Sequence, residues 1–248
     1  MGKIKIERID NYYWGRAYRI EEDCNIHYLP SVTNVLKLNT NEKFENLRKE
    51  FGDVVWDNIL KKAADRGNIL HKMMEVFLIS WAKDKIIQKA LEEAQNYAIS
   101  ESGISLEQDI AVKKGRSLFW NFYHEKFWEN IHEVVETEIF LWTIFRGGWA
   151  GTADFIFRDK NGDLIIIDFK SSTSLKSDED VLNYKIQISA YMFMAAEKYQ
   201  EIPNRGEIWI ANEETDEIQK FFVTKDEFKK YLRIFLELLE KFKILHEI

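Results

Sequence analysis

The sequence predicts a mixed α/β (α+β) fold in which a central β-sheet is flanked by helices. Apolar residues recur with a helical period from about Glu42 to about Glu129, and the pattern changes to strand-like runs after His132. Only 2 Pro and 11 Gly interrupt the 248 residues, so long elements with short connections are expected. This length favours one compact core, and we expect a single domain over residues 1–248.

Residues 1–41 predict a small β addition and a short helix. The segments KIKIERI and RAYRIEEDCNIHYLP alternate apolar and polar residues around the turn-prone run EEDCN, which is typical of strands or a hairpin. Ser31 follows a proline and is suited to be the N-cap of a short helix through Leu36. An N-terminal β hairpin followed by a short helix is therefore expected.

Residues 42–132 predict a helical region. Apolar side chains recur there at spacings of three and four residues in three stretches. The stretches contain Phe44, Leu47, Phe51, Val54 and Val55; Ile69, Met73, Val76 and Phe77; and Leu118, Phe122 and Phe127. Gly103 and Gly115 are the expected breaks between the helices.

Residues 133–248 predict strands alternating with helices. EVVETEIFLWTIF, GTADFIFRD and DLIIIDFKSS predict three adjacent strands, the last two joined by an Asn-Gly turn at 161–162. The segment from Asp178 to Tyr199 has one apolar face and predicts a helix. GEIWIAN and EIQKFFVT predict two further strands, and Thr224 is the expected N-cap of a C-terminal helix.

Composition limits the classes of function. The single cysteine, Cys24, cannot form an internal disulfide or an all-cysteine metal site, so no iron–sulfur cluster is expected. No apolar run approaches the roughly 18 residues needed to cross a bilayer, and no signal core is seen, so we expect a protein of the cytoplasm of a prokaryotic or phage-infected cell. The net charge of -7 argues against a surface that is basic all over, so any nucleic-acid binding requires a local basic site.

The strongest chemical signal is the pair of segments Gly-Thr-Ala-Asp154 and Asp168-Phe-Lys170. Side chains alternate along a strand, so Asp168 and Lys170 share a face, and Asp154 on the hairpin partner can face them. The apolar run 164–167 places these charges at the edge of a buried core, where desolvation is costly unless a metal pairs with them. Carboxylates suit Mg²⁺ or Mn²⁺, and a neighbouring ammonium can activate water and offset phosphoryl charge. Asp-x-Lys alone also fits ordinary charges at a strand end.

The wider pattern is more specific. Gln187 and Tyr191 lie four residues apart on one face of the following helix. With that helix, the two acidic strands resemble the PD-(D/E)xK nuclease superfamily, in particular its RecB-like branch, over about residues 134–224. The resemblance implies a restriction-endonuclease-like core with a mixed central sheet and a metal-dependent deoxyribonuclease activity.

Two upstream segments extend the resemblance over most of the chain. Arg66-Gly67 followed by His71 and Glu75 is similar to the helix that precedes the core in RecB-like enzymes. The segment LPSVTNVL at 29–36 is similar to an element of phage-type exonucleases and of the mitochondrial genome maintenance exonuclease group.

The resemblance also implies roles for individual residues. His71, Asp154 and Asp168 would ligate metal, the Phe169 carbonyl would be a further ligand, and Lys170 would assist the attacking water.

Three other positions have a looser match. Glu138 matches an upstream acidic position of the family, although a strand-surface glutamate explains it equally well. Gln187 would support the catalytic lysine or the phosphate backbone. Tyr191 fits either that role or a place in the core.

A third group of residues is expected to contact nucleic acid. Hydroxyl groups after the catalytic strand could donate to phosphate, and a basic cluster in the helical region could contact the backbone, although both also fit solvated loops and helix ends. The candidates are Arg66, Lys113, Lys114, Arg116, Ser171, Ser172 and Tyr191.

The sequence therefore predicts a DNA exonuclease that acts on single strands or duplex ends in replication, recombination or repair, with partner proteins of those processes. No phosphate-binding loop of the GxxxxGK[ST] type is present, so ATP is not expected as a cofactor. Two alternatives remain open. One is a structure- or site-specific endonuclease of the same fold, and the other is a catalytically silent nucleic-acid-binding module.

Overall fold

The computed structural model describes residues 4–22, 25–39, 42–101, 103, 106–215 and 217–248. Cys24, on which the predictions about disulfides and clusters depend, lies outside the described residues. The strands are β1 (Lys5–Tyr12), β2 (Gly15–Glu22), β3 (Asn25–Pro30), β4 (Ile131–Thr143), β5 (Trp149–Asp159), β6 (Leu164–Ser172), β7 (Arg205–Asn212) and β8 (Ile218–Thr224). The helices are α1 (Val32–Leu36), α2 (Glu42–Phe51), α3 (Asp53–Asp84), α4 (Ile87–Ser100), α5 (Leu106–His124), α6 (Leu182–Tyr199) and α7 (Lys225–His246).

The central sheet has the strand order β4-β5-β6-β7-β8. Strands β6 and β7 are parallel, because α6 provides the crossover between them, and the other pairs are antiparallel. The apolar run 164–167 forms the buried first half of the middle strand, as the sequence predicts.

Helices cover both faces of this sheet. Ile166 faces a core formed with α1, α6 and α7, whereas Ile165 and Ile167 face a second core formed with α3, α4 and α5. This alternation follows from the two-residue period of a strand and explains why β6 is continuously apolar. The predicted mixed sheet between helical layers is confirmed.

The predicted N-terminal β addition is also confirmed, and it has three antiparallel strands in the order β1-β2-β3. Tyr18, Ile20 and Leu29 on its inner face pack on Ala150 of β5. A bridge between Ser31 and Ala150 continues the attachment. The Ser31 hydroxyl accepts a hydrogen bond from the Asn34 backbone N–H, so it caps α1 as predicted.

The boundaries of two predicted elements differ in how well they match the structure. The predicted helix from Asp178 to Tyr199 begins only at Leu182, because the Asp180 carboxylate accepts hydrogen bonds from the backbone and hydroxyl of Ser177 in a preceding turn. Helix α7 begins as predicted, with a complete capping box between Thr224 and Glu227.

The prediction of a helix break at Gly115 is wrong, whereas Gly103 does lie between α4 and α5. Gly115 lies within α5 where that helix crosses α3. A Cβ at this position would lie 2.6 Å from the Ile69 Cβ and 2.9 Å from the Arg66 carbonyl oxygen. The glycine therefore permits close helix packing, and this tertiary contact outweighs its low helix propensity.

Among the described residues, no helix combines the length and the apolar composition required to cross a bilayer.

Candidate active site

The two predicted catalytic acids lie where β5 and β6 separate. Pairing between these antiparallel strands ends at Phe155 and Ile167, and the next positions along the two strands are Asp154 and Asp168. Strand β6 nevertheless continues to pair with β7 as far as Ser172. The acids therefore sit at a fork in the sheet, at the end of the apolar run.

Asp154 is held by the backbone and by the helical region. Its Oδ2 atom accepts a hydrogen bond of 2.7 Å from the Phe169 N–H and lies 3.3 Å from Nδ1 of His71 on α3. Burial raises the pKa of the Asp154 carboxyl, but His71, Lys170 and the backbone donor together lower it by more than burial raises it. The group is therefore held ionised. Burial lowers the pKa of His71, and Asp154 reverses this to give a raised value.

Asp168 and Lys170 form a buried ion pair. The Lys170 Nζ atom lies 2.5 Å from Oδ2 of Asp168. Burial raises the pKa of Asp168 to about 6, against the opposing charge of Lys170. Burial also lowers the pKa of Lys170, but the two aspartates outweigh it, and the ammonium stays charged.

Helix α6 supports Asp168 from the other side. The Gln187 side-chain amide donates to the Tyr191 hydroxyl over 3.1 Å and lies 3.5 Å from Oδ1 of Asp168. Tyr191 is 2% exposed and packs against Gly151, where a Cβ would lie 2.8 Å from its ring. Burial raises the pKa of Tyr191, so its hydroxyl stays neutral and available for this hydrogen bond.

Glu138 lies directly across from Asp154 on β4. The flanking pairs are Thr137 with Phe155 and Ile139 with Ala153, so the register places the two carboxylates opposite each other. Glu138 has a φ of 47°, which is unusual for a residue other than glycine and is often found at functional sites. Glu138 is exposed at the rim of the site, and desolvation by the surrounding residues together with the nearby charge of Asp154 raises its pKa to about 7.

These residues fit a divalent metal ion. His71, Glu138 and Asp154 each offer a ligand atom, and the three atoms lie within 4.8 Å of one another. One imidazole nitrogen with carboxylate oxygens is a suitable donor set for Mn²⁺, and the oxygens suit Mg²⁺. Asp168, another predicted ligand, lies outside this triad and faces Lys170. Its role as a ligand and that of the Phe169 carbonyl stay predictions.

A cavity of about 220 Å³ opens at the fork. Asp154, Asp168 and Lys170 line one side of it, and residues of the N-terminal sheet and the start of α1 line the other. The N-terminal group consists of Arg8, Arg16, Tyr18, Ser31, Val32 and Thr33. Sequence patterns missed the two arginines, because strand alternation does not tell which face meets the core.

Tyr184 is a second residue that the sequence patterns did not single out. Its ring centroid lies 5.5 Å from the Lys170 Nζ atom, so the ring forms an aromatic wall beside the ammonium. Its position three residues before Gln187, on the same helical face, is the signal that could have identified it.

The predicted nucleic-acid contacts are divided between several environments. Arg66 and Lys114 both pair with Glu213, over 2.6 Å and 2.8 Å, and Lys113 pairs with Asp109 over 2.7 Å. The Arg66 side chain is only 11% exposed, so it joins α3 to the end of β7. The structure therefore brings these basic side chains to acidic partners within the chain.

The remaining predicted contacts differ in accessibility. Arg116 and Ser171 are half-buried, and Ser171 faces Gly67 of α3. The Ser172 hydroxyl is buried and donates to the Ser174 carbonyl, so it serves the loop after β6. The Tyr191 hydroxyl is engaged by Gln187.

The family comparison agrees with this architecture. The sequence profile of the PD-(D/E)XK nuclease superfamily matches residues 42–245, and the chain belongs to this superfamily. Enzymes of this superfamily are nucleases that use divalent metal ions. A search of curated proteins gives no significant match.

Two solved structures show a weaker likeness. The protein SSO0001 is 19% identical with a TM-score of 0.37, and the match covers 73% of this chain and 74% of that chain. A protein from Eubacterium rectale, named provisionally as an exonuclease, is 14% identical with a TM-score of 0.44, and the match covers 68% of this chain and 66% of that one. Both TM-scores are below 0.5, so the assignment to the superfamily rests on the profile.

Proposed function

We propose that the protein is a Mg²⁺- or Mn²⁺-dependent exonuclease that hydrolyses DNA phosphodiester bonds from free ends. The single observation that carries the proposal is the buried pair of Asp168 and Lys170 beside Asp154 at the fork of the sheet. Such a desolvated group of two acids and one ammonium is expected where phosphate charge and a metal ion meet.

Each residue has a distinct task in this proposal. His71, Glu138 and Asp154 would hold the metal ion. A divalent ion supplies water of lowered pKa and stabilises the charge that develops on the phosphate. Lys170 orients the attacking water and offsets negative charge, and Asp168 fixes the position of its ammonium.

The preference for DNA ends is supported by the form of α3. This helix carries His71, but no residue of α3 before Leu70 is buried, although the structure describes the whole helix. Several apolar side chains on or next to this first half of α3 are exposed, namely Phe51, Val54, Val55, Ile59 and Leu60. A helix with exposed apolar and basic side chains can line the path of a single strand through apolar contacts with the bases and sequence-independent charge contacts.

The test compares linear with covalently closed circular single-stranded DNA of one sequence, at matched salt and with Mg²⁺ or Mn²⁺. We expect rapid digestion of the linear strand and resistance of the circle. Equal rates would favour the endonuclease alternative. An end-labelled duplex and an RNA of the same sequence, assayed in parallel, test strandedness and sugar preference.

The silent-module alternative makes a different forecast for the same assay. A protein that only binds would retain the labelled strand without releasing nucleotides, whether Mg²⁺ or Mn²⁺ is present.

The proposed cellular role is the processing of DNA ends in replication, recombination or repair, together with partner proteins of those processes.

A further inference from the structure

We propose that Arg8 and Arg16, on the N-terminal three-stranded sheet, bind a backbone phosphate of the substrate strand across the cavity from the catalytic acids. This inference rests on the proposed function, because it names a binding site for the same substrate. It gives the N-terminal sheet a task in the reaction beyond its packing.

The first argument is the direction in which the two side chains face. Arg8 pairs in register with Tyr18, and Arg16 precedes Tyr18 by two residues, so all three project from one face of the sheet. Tyr18 is buried on this face, and its ring centroid lies 4.9 Å from that of Phe140 on β4. The arginines therefore lie on the face that meets the catalytic sheet, and both line the cavity at the fork.

The second argument is the local charge. Arg8 and Arg16 both donate through Nε to the same oxygen of Asp10, over 2.8 Å and 3.0 Å. Two guanidinium groups against one carboxylate leave a net positive charge. Among the described residues, no partner is found for the terminal amino groups of Arg16. The arginine side chains are 51% and 40% exposed, so their remaining donors are accessible to a ligand.

The third argument is the negative charge of the opposite wall of the cavity, where the catalytic residues lie. The three carboxylates of Glu138, Asp154 and Asp168 are only partly balanced there by Lys170 and His71, so a phosphodiester chain would approach an acidic wall of a protein with net charge -7. A cationic wall facing these acids offsets that repulsion and focuses the strand into the cavity. Guanidinium groups are suited to the task because their planar donors match two phosphate oxygens at once.

The experiment compares Arg8→Gln, Arg16→Gln and the double variant with a matched control, Arg19→Gln. Arg19 lies on the same strand as Arg16 but on the opposite face, where it pairs with Glu21 over 2.8 Å. Binding of a fluorescein-labelled oligo-dT strand is measured by anisotropy with Mg²⁺ at several salt concentrations, in the Asp168→Asn background to suppress hydrolysis. KM and kcat are measured in the wild-type background, and thermal melting confirms that each variant is folded.

The double variant is expected to bind about tenfold more weakly at about 0.1 M salt. The slope of its log affinity against log salt concentration should be shallower by about 0.7 for each phosphate that the arginines no longer neutralise. Its KM should rise more than its kcat falls, and Arg19→Gln should match its parent.

Two outcomes of this experiment would contradict different claims. A double variant whose affinity, salt dependence and KM equal those of Arg19→Gln would overturn the arginine assignment while the enzyme remained active. A wild-type protein that cleaves no DNA would instead contradict the proposed function.

Discussion

The ammonium group of Lys170 lies 2.5 Å from Oδ2 of Asp168, two residues away on the same face of β6. Burial makes each charge depend on the other, because neither could be left alone there without a large desolvation cost. The pair therefore delivers a fixed positive charge to the place where the two central strands separate.

Replacing Lys170 with Met should remove this charge and leave metal binding intact. We expect hydrolysis to fall by about 10² to 10³-fold, which is the usual cost of removing one group that stabilises charge in the transition state. The rise in melting temperature on adding Mn²⁺ should persist, since it depends on the other side chains. Single-turnover assays and thermal melting, each with and without Mn²⁺, measure the two quantities. Activity within tenfold of wild type would remove Lys170 from the mechanism.

The binding of metal should depend on pH. Burial and Asp154 raise the pKa of Glu138 to about 7 in the metal-free protein, and the pKa of His71 is raised by Asp154 despite its burial. Both groups must lose a proton to act as ligands, so protons compete increasingly with the metal as the pH is lowered. We expect the Mn²⁺-induced rise in melting temperature to be larger at pH 8 than at pH 6.

The Glu138→Gln variant tests which group causes this dependence. It should weaken the response to Mn²⁺ and flatten its change with pH, whereas Glu133→Gln, an exposed position on the same strand, should behave as wild type. If Glu138→Gln and wild type gave equal Mn²⁺ titration curves, Glu138 would be a surface residue and not a metal ligand. His71→Ala, tested alongside, should also lower the apparent affinity for metal.

Gln187 is expected to act as a positioning residue. Its amide lies between Oδ1 of Asp168 and the Tyr191 hydroxyl, so Gln187→Ala would leave a buried carboxylate oxygen without this donor. Loss of this donor should raise the pKa of Asp168, so the acidic limb of the pH–rate profile should move to higher pH. We expect kcat to fall about tenfold. Tyr191→Phe keeps the ring against Gly151 and should have a smaller effect. An unchanged pH–rate profile for Gln187→Ala would show that Gln187 contributes only to packing.

The α3–α5 crossing gives a prediction about stability. Gly115→Ala would bring a Cβ to 2.6 Å from the Ile69 side chain, so one helix must shift, at a cost of about 1–3 kcal/mol in the free energy of unfolding. Ser117→Ala, at an exposed position on the same helix, is the control. Urea denaturation measures both variants. A Gly115→Ala protein as stable as wild type would show that the crossing adapts without strain.

Much of the fold was predictable because its signals are local. The apolar run 164–167 fits a strand buried on both faces, and Thr224 with Glu227 forms the capping box that begins α7. The same local signal misled at Gly115, where the neighbouring helix and not the residue's own propensity determines the structure.

The candidate site was predictable only in part. Asp154, Asp168 and Lys170 come together because short-range strand alternation and one turn fix their geometry. The position of Glu138 opposite Asp154 depends on the register of β4, which no short pattern specifies. Arg66 and Lys114 are held by Glu213, which lies 99 residues beyond Lys114 in the sequence, and this pairing follows only from the assembled sheet.

The central claim is that the acidic pair at the fork performs metal-dependent hydrolysis. The most direct measurement is the rate at which folded Asp168→Asn protein cleaves end-labelled linear single-stranded DNA with Mg²⁺ and with Mn²⁺, beside wild type. Asparagine keeps the size of the side chain and removes its charge, and Asp154 remains to stabilise the charge of Lys170, so thermal melting should show a folded protein. The account predicts that cleavage falls by at least about 10³-fold. Wild-type cleavage by the folded Asp168→Asn protein would contradict it.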